Sequence, residues 1–105
     1  MKKRSQVSAI DFLERRCDEV AGMLKAIAHP KRLRILCALQ EGEKSVSELE
    51  IYCQASQSSV SQYLAKMKSE GLLFSRREAQ QVFYAIGSPE LRTLVQSLAK
   101  IYSAR

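Results

Sequence analysis

Apolar residues recur along this chain at two different spacings, which predict helices in most of it and a β-hairpin near the C-terminal end. Over most of the chain they lie three or four residues apart, as in amphipathic helices. Between Leu72 and Ile86, large and β-branched residues form two short runs, which indicate strands. The pattern predicts helices over 7–28, 31–40, 47–53, 57–70 and 89–102, a short extended piece at 45–46, and strands over 72–77 and 81–86.

Residues that begin or end helices lie at the boundaries of these segments. Pro30 follows His29 and lacks an amide hydrogen, so the first helix is expected to end before it and the second to begin at it. Gly71 is expected to end the fourth helix in a left-handed conformation. Ser88 precedes Pro89, a pair typical of a helix start. The local signals therefore support the boundaries that the periodicity predicts.

Two helices joined by a tight turn at 54–56 make up the segment 45–71, and the second of them has two unlike faces. Val60, Leu64 and Met67 form its apolar stripe. The opposite face carries hydroxyl and amide groups in place of the Glu–Lys pairs of an ordinary exposed helix. Such groups suit base edges in the DNA major groove, and a plain helical hairpin with a polar outer face is the alternative. The residues predicted to contact DNA here are Ser56, Gln57, Ser58, Ser61, Gln62 and Lys66.

The predicted hairpin follows this helix directly, which is the order of elements in a winged helix-turn-helix. The fold class predicted is therefore mainly α with a small β-hairpin. In this design the hairpin, or wing, lies along the DNA backbone beside the helix in the major groove. Arginine at a hairpin tip suits phosphates or a narrow minor groove, although any solvated turn is also polar. The wing residues predicted to contact DNA are Arg76, Arg77, Gln80 and Gln81.

Composition narrows the class of protein. The 105 residues suffice for one domain, so 1–105 are predicted to form a single DNA-binding domain with 1–6 as a flexible arm. The net charge of +6 favours double-stranded DNA as a partner, although solubility alone would explain it. No signal peptide or membrane-length apolar run is evident, so a cytoplasmic protein without a membrane partner is expected. One histidine and no paired catalytic carboxylates argue against an enzyme.

The apolar stripes of the first and last predicted helices are longer than one small domain needs to cover. They run from Ile10 to Ile27 and from Leu91 to Tyr102. A domain of this size buries a limited share of its surface, and a second copy would cover more. Helices 7–28 and 89–102 are therefore predicted to join two chains in a homodimer.

Four motifs resemble the ArsR/SmtB family of dimeric bacterial repressors: HPKRLRILCALQ, SVSELE, SQSSVSQYLAKMKSEGLL and REAQQVFYAI. The resemblance extends from about Ala21 to Tyr102 and is strongest to the branch that contains HlyU, BigR and the YgaV type. It implies a homodimer joined through its first and last helices, binding an inverted repeat in DNA as a repressor or antirepressor. In this branch it also implies a signal that is often a reactive sulfur species or another oxidant.

The metal sites of the family are not matched. Ser45 and Ser47 occupy the positions of its Cys-x-Cys pair, and Glu90 is the only acid in the last helix, which has no histidine. A tight zinc or arsenic site needs three or four such ligands together. No metal and no cofactor is therefore predicted, and a metal-responsive repressor is kept as an alternative.

The resemblance makes Cys37 the candidate redox sensor. The branch pairs this cysteine with another near the end of the last helix, where this chain has Ser103. Cys17 is the remaining possibility for a partner, whereas Cys53 is expected to be a small core residue. The hypotheses left open are a thiol switch at Cys37, with or without Cys17, and a constitutive DNA-binding regulator without a sensor.

A second expectation about Cys37 follows from its apolar neighbours. Leu33, Leu36 and Leu39 lie in the same predicted helix and leave it little polar surface. These neighbours favour a Cys37 that is packed in the core over a thiol that solvent can reach, and core packing and sensing both stay open. An added sulfur or oxygen would then overpack that core, at a typical cost of about 1–3 kcal/mol.

Overall fold

Six helices and three strands make up residues 8–103, the part of the chain that the computed structural model describes. This architecture confirms the predicted fold class, while the predicted arm at 1–6 lies outside the described residues. The helices are α1 (Ala9–Arg15), α2 (Cys17–Ile27), α3 (Pro30–Leu39), α4 (Val46–Cys53), α5 (Gln57–Ser69) and α6 (Pro89–Ser103), and the strands are β1 (Lys44–Ser45), β2 (Leu73–Glu78) and β3 (Gln81–Ile86).

The helix boundaries follow local signals. Pro30 begins α3, and Gly71 after α5 has a φ of +81°, as predicted. Ser45 and Glu48 form a capping box at the start of α4, in which each side chain accepts the other residue's backbone N–H. Ser88 caps α6 in the predicted way. Apart from the first helix, the predicted boundaries agree with the structure to one residue.

The first predicted helix is interrupted, so the prediction of one continuous helix over 7–28 was wrong. At Arg16 the backbone leaves the helical region (φ −116°, ψ 20°), and its N–H bonds to the carbonyl of Leu13. The Arg16 side chain bonds to both carboxylate oxygens of Glu19, at 2.9 and 2.7 Å. Apolar spacing could not show this break, because a one-residue interruption scarcely changes the periodicity of the stripe.

The core lies where α3, α4, α5 and α6 meet the sheet. The apolar stripe predicted for α5 is confirmed, because its three members are at most 1% exposed. Side chains of this kind each gain about 1.5–3 kcal/mol by burial, so the stripe holds the opposite face of α5 outward. The largest fully buried side chains are Ile35, Leu36, Leu39, Leu49, Val60, Leu64, Met67 and Leu91.

The sheet is antiparallel in the order β1–β3–β2, and its pleat sorts the wing residues onto two faces. Arg76 pairs with Phe83 and Arg77 with Val82. Because successive side chains of a strand point to opposite faces, neighbouring arginines cannot share one. The turn between β2 and β3 contains Ala79, whose φ of +56° lies in the left-handed region.

Candidate nucleic-acid interface

The exposed face of α5 carries the residues predicted to read DNA. Gln57, Ser58, Gln62 and Lys66 are exposed, and Ser61 is half-buried at the edge of that face. The N-cap of this helix, Ser56, accepts the backbone N–H of Ser59 at 3.2 Å, as its position predicts. The face is therefore a run of short polar groups, available to a partner and backed by the buried stripe.

A left-handed residue sets the position of α5 after α4. Gln54 has a φ of +53° and ends α4, and the backbone N–H of Ala55 bonds back to Glu50 at 3.2 Å. This arrangement satisfies the last carbonyls of α4 while the chain reverses. The result is the tight helix-turn-helix that the sequence predicts.

The start of α5 and the tip of the wing border one cleft. The cleft has a volume of about 390 Å³, and Gln57 from α5 faces it together with Gln80 and Gln81 from the wing. Ser47 and Glu50 of α4 also line it. Four of these five side chains are uncharged polar groups. The structure thus brings together predicted contact residues that lie more than twenty positions apart in the chain.

Arg77 lies on the same face of the wing as Ser75, and that face turns toward α5. Lys68 of α5 donates a hydrogen bond from Nζ to Ser75 Oγ at 2.7 Å, which identifies the face. Arg77 is exposed, and no ion pair joins it to an acid among residues 8–103. Its guanidinium is therefore available to a phosphate.

Lys68 is a basic residue of this surface that the sequence analysis missed. It is exposed and extends the polar face of α5 toward the wing. The periodicity contained a signal for it, because Lys68 follows Ser61 by seven residues, about two helical turns. Lys66, on the neighbouring side, has only a loose contact of 3.9 Å with Glu70 and remains 59% exposed.

Arg76 lies on the other face of the wing and is engaged within the protein. Its guanidinium donates to both carboxylate oxygens of Glu43 and, at 2.6 Å, to Glu78. It also lies over the ring of Phe83, 4.7 Å from the centroid. The hydrogen bond from Arg76 lowers the pKa of Glu43. The pKa of Arg76 is raised, mainly by its bonds to Glu43 and to a smaller extent by its bond to Glu78. Arg76 therefore ties the wing to the loop before β1.

The structure agrees with the prediction for Cys53 and differs from it for Cys37. Cys53 is buried, as predicted, and its burial raises the pKa of its thiol. Cys17 and Cys37 are exposed, and all three thiols are free. The expectation that Cys37 packs in the core was wrong, since α3 turns Ile35 and Leu36 inward and Cys37 outward.

The face of α3 that carries Cys37 borders an open cleft of about 520 Å³. Leu33, Arg34 and Cys37 line it with Tyr52 of α4. An added sulfur or oxygen on Cys37 would therefore enter this cleft rather than the packed core of the chain. The mechanism of overpacking does not apply to the geometry of the single chain.

Two other kinds of site are absent from residues 8–103. No three His, Cys, Asp or Glu side chains of that region come together in a way that could hold a metal ion. At the positions of the family's metal-binding pair, Ser45 caps α4 and Ser47 is exposed. None of the helices described is both long and apolar enough to cross a membrane.

The chain is similar to known regulators over most of its length. The model of the bacterial regulatory protein, arsR family, matches residues 29–74. The transcriptional activator HlyU of Vibrio cholerae is 40% identical over 90 residues, which is 86% of this chain and 83% of HlyU. The crystal structure of the repressor BigR from Xylella fastidiosa has a TM-score of 0.86 and 37% identity, over 93% of this chain and 100% of that one.

One further structure bears on assembly. The solution structure of a homodimeric winged helix-turn-helix DNA-binding domain from Mycobacterium bovis has a TM-score of 0.74 and 28% identity, over 96% of this chain and 91% of that one. The fold, the motif and the extent of the similarity to HlyU and BigR all agree with the resemblance seen in the sequence. The chain therefore belongs to the ArsR family of bacterial regulatory proteins, and it is a DNA-binding transcriptional regulator with a winged helix-turn-helix fold.

Proposed function

We propose that this regulator acts in the cytoplasm as a homodimer that binds an inverted repeat in double-stranded DNA. The observation that carries the proposal is the exposed polar face of α5, which adjoins the helix-facing side of the wing. A helix of this kind fits the major groove, and a basic hairpin beside it reaches the flanking backbone. The protein acts as a regulator rather than as an enzyme.

Roles follow from the position of each side chain. Gln62 and Ser58 read base edges, since an amide can pair bidentately with adenine and a hydroxyl with several bases. Lys66, Lys68 and Arg77 bind phosphates, because each is an exposed cation at the border of the reading face. Ser61, Gln80 and Gln81 supply further polar contacts at the edges of that face. The base-reading side chains therefore provide sequence specificity, and the phosphate-binding cations fix the position of the protein on the DNA.

The start of α5 adds a site for one phosphate. Backbone N–H groups of the first turn of a helix point beyond its end and favour an anion. Ser56 occupies one of these N–H groups through its hydroxyl, while Gln57 extends into the cleft beside the wing tip. We expect a phosphate here to fix the register of α5 in the groove.

Uncovered apolar side chains support the homodimer. Helix α1 buries none of its residues, α2 leaves Leu24 exposed, and α6 leaves its last apolar side chains exposed. Exposed apolar groups of this number on a small domain mark an interaction surface. A twofold dimer presents two reading helices to two half-sites, which accounts for the inverted repeat. The side chains concerned are Ile10 (64% exposed), Phe12 (57%), Leu13 (46%), Leu24 (46%), Ile101 (55%) and Tyr102 (75%).

The test is selection from random duplex DNA, followed by measurement of the selected sequence against a scrambled duplex of equal length. We expect an inverted repeat to be enriched and bound at least 10³-fold more tightly than the scrambled duplex, the lower end for specific regulators. Sedimentation of the complex should give two chains per repeat. Binding of equal strength to both duplexes would refute the proposal of sequence-specific reading.

A thiol response is a second function, which the exposure of Cys37 favours. Transfer of sulfur breaks one S–S bond of a polysulfide, forms one S–S bond on the Cys37 thiolate, and releases the polysulfide shortened by one sulfur. Sensing requires access to the thiol, and the cleft beside Arg34 provides it. The Arg34 cation also attracts an anionic polysulfide.

The test compares wild type with Cys37→Ser and, as the matched control, Cys17→Ser, before and after polysulfide treatment. If Cys37 acts alone, we expect treated wild type and Cys17→Ser to release the selected repeat and Cys37→Ser to retain it. Release blocked by either substitution would indicate that Cys17 and Cys37 act as a pair. Unchanged binding by treated wild type would leave a regulator that does not respond through its thiols.

A further inference from the structure

His29 connects the junction of α2 and α3 to the helix that carries the reading face. It is the N-cap of α3, with an extended backbone (φ −150°, ψ 128°). Its ring lies 5.0 Å from the ring of Tyr63, centroid to centroid, at an interplanar angle of 47°. Tyr63 belongs to α5 and follows His29 by 34 positions. One side chain therefore contacts the junction and α5 at the same time.

The hydrogen bonds of His29 determine which ring nitrogen carries the proton. Nδ1 lies 3.1 Å from the backbone nitrogen of Lys31 and accepts its N–H. The proton of the neutral ring is therefore on Nε2, which lies 3.3 Å from Tyr63 Oη and donates to it. His29 thus accepts on one side to start α3 and donates on the other to hold α5.

Arg32 follows the same route between the helices. Its Nη1 donates to the carbonyl oxygen of Ala26, in the last turn of α2, at 2.7 Å. Its guanidinium lies 5.8 Å from the centroid of the Tyr63 ring, and 4.0 Å separates it from the carboxylate of Glu70 just after α5. Tyr63 is therefore held from two sides, by a ring nitrogen of the junction and by a cation bonded to α2.

We propose that His29 and Tyr63 form a positioning pair that sets the angle of α5 relative to α2. This inference rests on the proposed function, in which α2 belongs to the dimer interface and α5 reads DNA. In a dimer, the angle between these helices determines the distance between the two reading helices. The pair therefore selects the spacing between the half-sites of the inverted repeat.

Three substitutions separate this role from the simple stability of the fold. Tyr63→Phe removes only the phenol oxygen that Nε2 contacts. His29→Asn preserves the N-cap, because asparagine is a preferred capping residue, but removes the ring. Tyr52→Phe is the matched control, since it deletes a phenol oxygen from an exposed side chain of α4, whereas the His29 ring bonds to Lys31 and Tyr63. If His29→Asn does not fold, Tyr63→Phe by itself still tests the contact.

The assay measures the affinity of the full chain for the selected repeat and for versions with the spacer lengthened or shortened by one base pair. We expect wild type and Tyr52→Phe to prefer one spacing steeply. In Tyr63→Phe and His29→Asn the preference for that spacing should fall roughly three- to tenfold, the effect of about one hydrogen bond. The double variant should lose no more of the spacing preference than either single variant, because both substitutions break the same contact between His29 and Tyr63.

Three results would overturn the inference: a wild-type profile in both variants, equal weakening at every spacing, or additive losses in the double variant. These three results can be told apart from a failure of the proposed function. If wild type prefers no repeat, sequence-specific reading is refuted and the pair has no spacing to select. If wild type prefers one spacing and the variants share its profile, only the positioning pair is refuted.

Discussion

The two neighbouring arginines of the wing should respond to substitution in different ways. Arg77 is exposed on the face that turns toward α5, whereas Arg76 is hydrogen-bonded to Glu43 and Glu78 on the other face. Arg77→Gln should remove a phosphate contact. Arg76→Gln should remove no phosphate contact but should release the wing from the loop before β1.

The magnitude follows from the number of counterions released. Each phosphate neutralised by a cation contributes about 0.9 to the slope of log affinity against log salt concentration for B-DNA. A homodimer has two copies of Arg77, so Arg77→Gln should make the slope shallower by about 1.8. Arg76→Gln should leave the slope nearly unchanged, although it should weaken binding if the wing must be held in place.

The assay is fluorescence anisotropy of a labelled selected repeat and a scrambled duplex over a series of salt concentrations. Arg77→Gln should weaken binding to both duplexes, because a phosphate contact carries no sequence information. Glu43→Gln is the matched control, since it breaks the same brace as Arg76→Gln from the acidic side. If Arg76→Gln reduced the salt slope as much as Arg77→Gln, the assignment of Arg76 as a brace would be wrong.

Three further predictions concern reading, assembly and the wing turn. Gln62→Ala should cost about 1–3 kcal/mol at one base position and relax the preference there, as measured on single-base variants of the repeat; an equal loss on scrambled DNA would contradict direct reading. Leu98→Glu should place a carboxylate in the dimer interface and give monomers by sedimentation. The control Gln96→Glu, at an exposed position, should remain dimeric, and a dimeric Leu98→Glu would place the interface elsewhere. Ala79→Gly should raise the free energy of unfolding, measured in denaturant, by up to about 1 kcal/mol. Glycine removes the strain of the left-handed φ at this position, although it costs some chain entropy, whereas Ala79→Val should lower the free energy of unfolding.

The brace itself should depend on pH. The hydrogen bond from Arg76 lowers the folded-state pKa of Glu43, so its contribution to stability is fully present above the unfolded pKa of Glu43 and is lost as pH falls through the lowered folded value. We expect acid to loosen the wing in wild type, as hydrogen exchange of the β3 amides would show. Glu43→Gln should remove the part of this dependence that Glu43 contributes. An identical acid profile in Glu43→Gln would contradict the assignment.

Apart from the break at Arg16, sequence by itself determined the helices and strands and the polar outer face of α5. Helix type, boundaries and the buried side of α5 depend on residues within one or two turns of each other, such as Val60 and Leu64, or Ser45 and Glu48. Such local signals act within a segment before it packs. The position of α5 after a tight turn, and of a hairpin directly after it, was predictable for the same reason.

Only the tertiary structure decided which side chains remain available to a partner and which are engaged within the protein. Arg76 and Arg77 must point to opposite faces of a strand, but packing against α5 determines which of those faces turns toward that helix and which toward Glu43. Cys37 is surrounded in sequence by leucines, yet the rotation of α3 against α4 turns it outward. In the sequence His29 is only the residue before Pro30, and the docking of α5 is what brings Tyr63 to one of its ring nitrogens. Each of these outcomes depends on how one element is rotated against another, which is set by the side chains that both of them bury together.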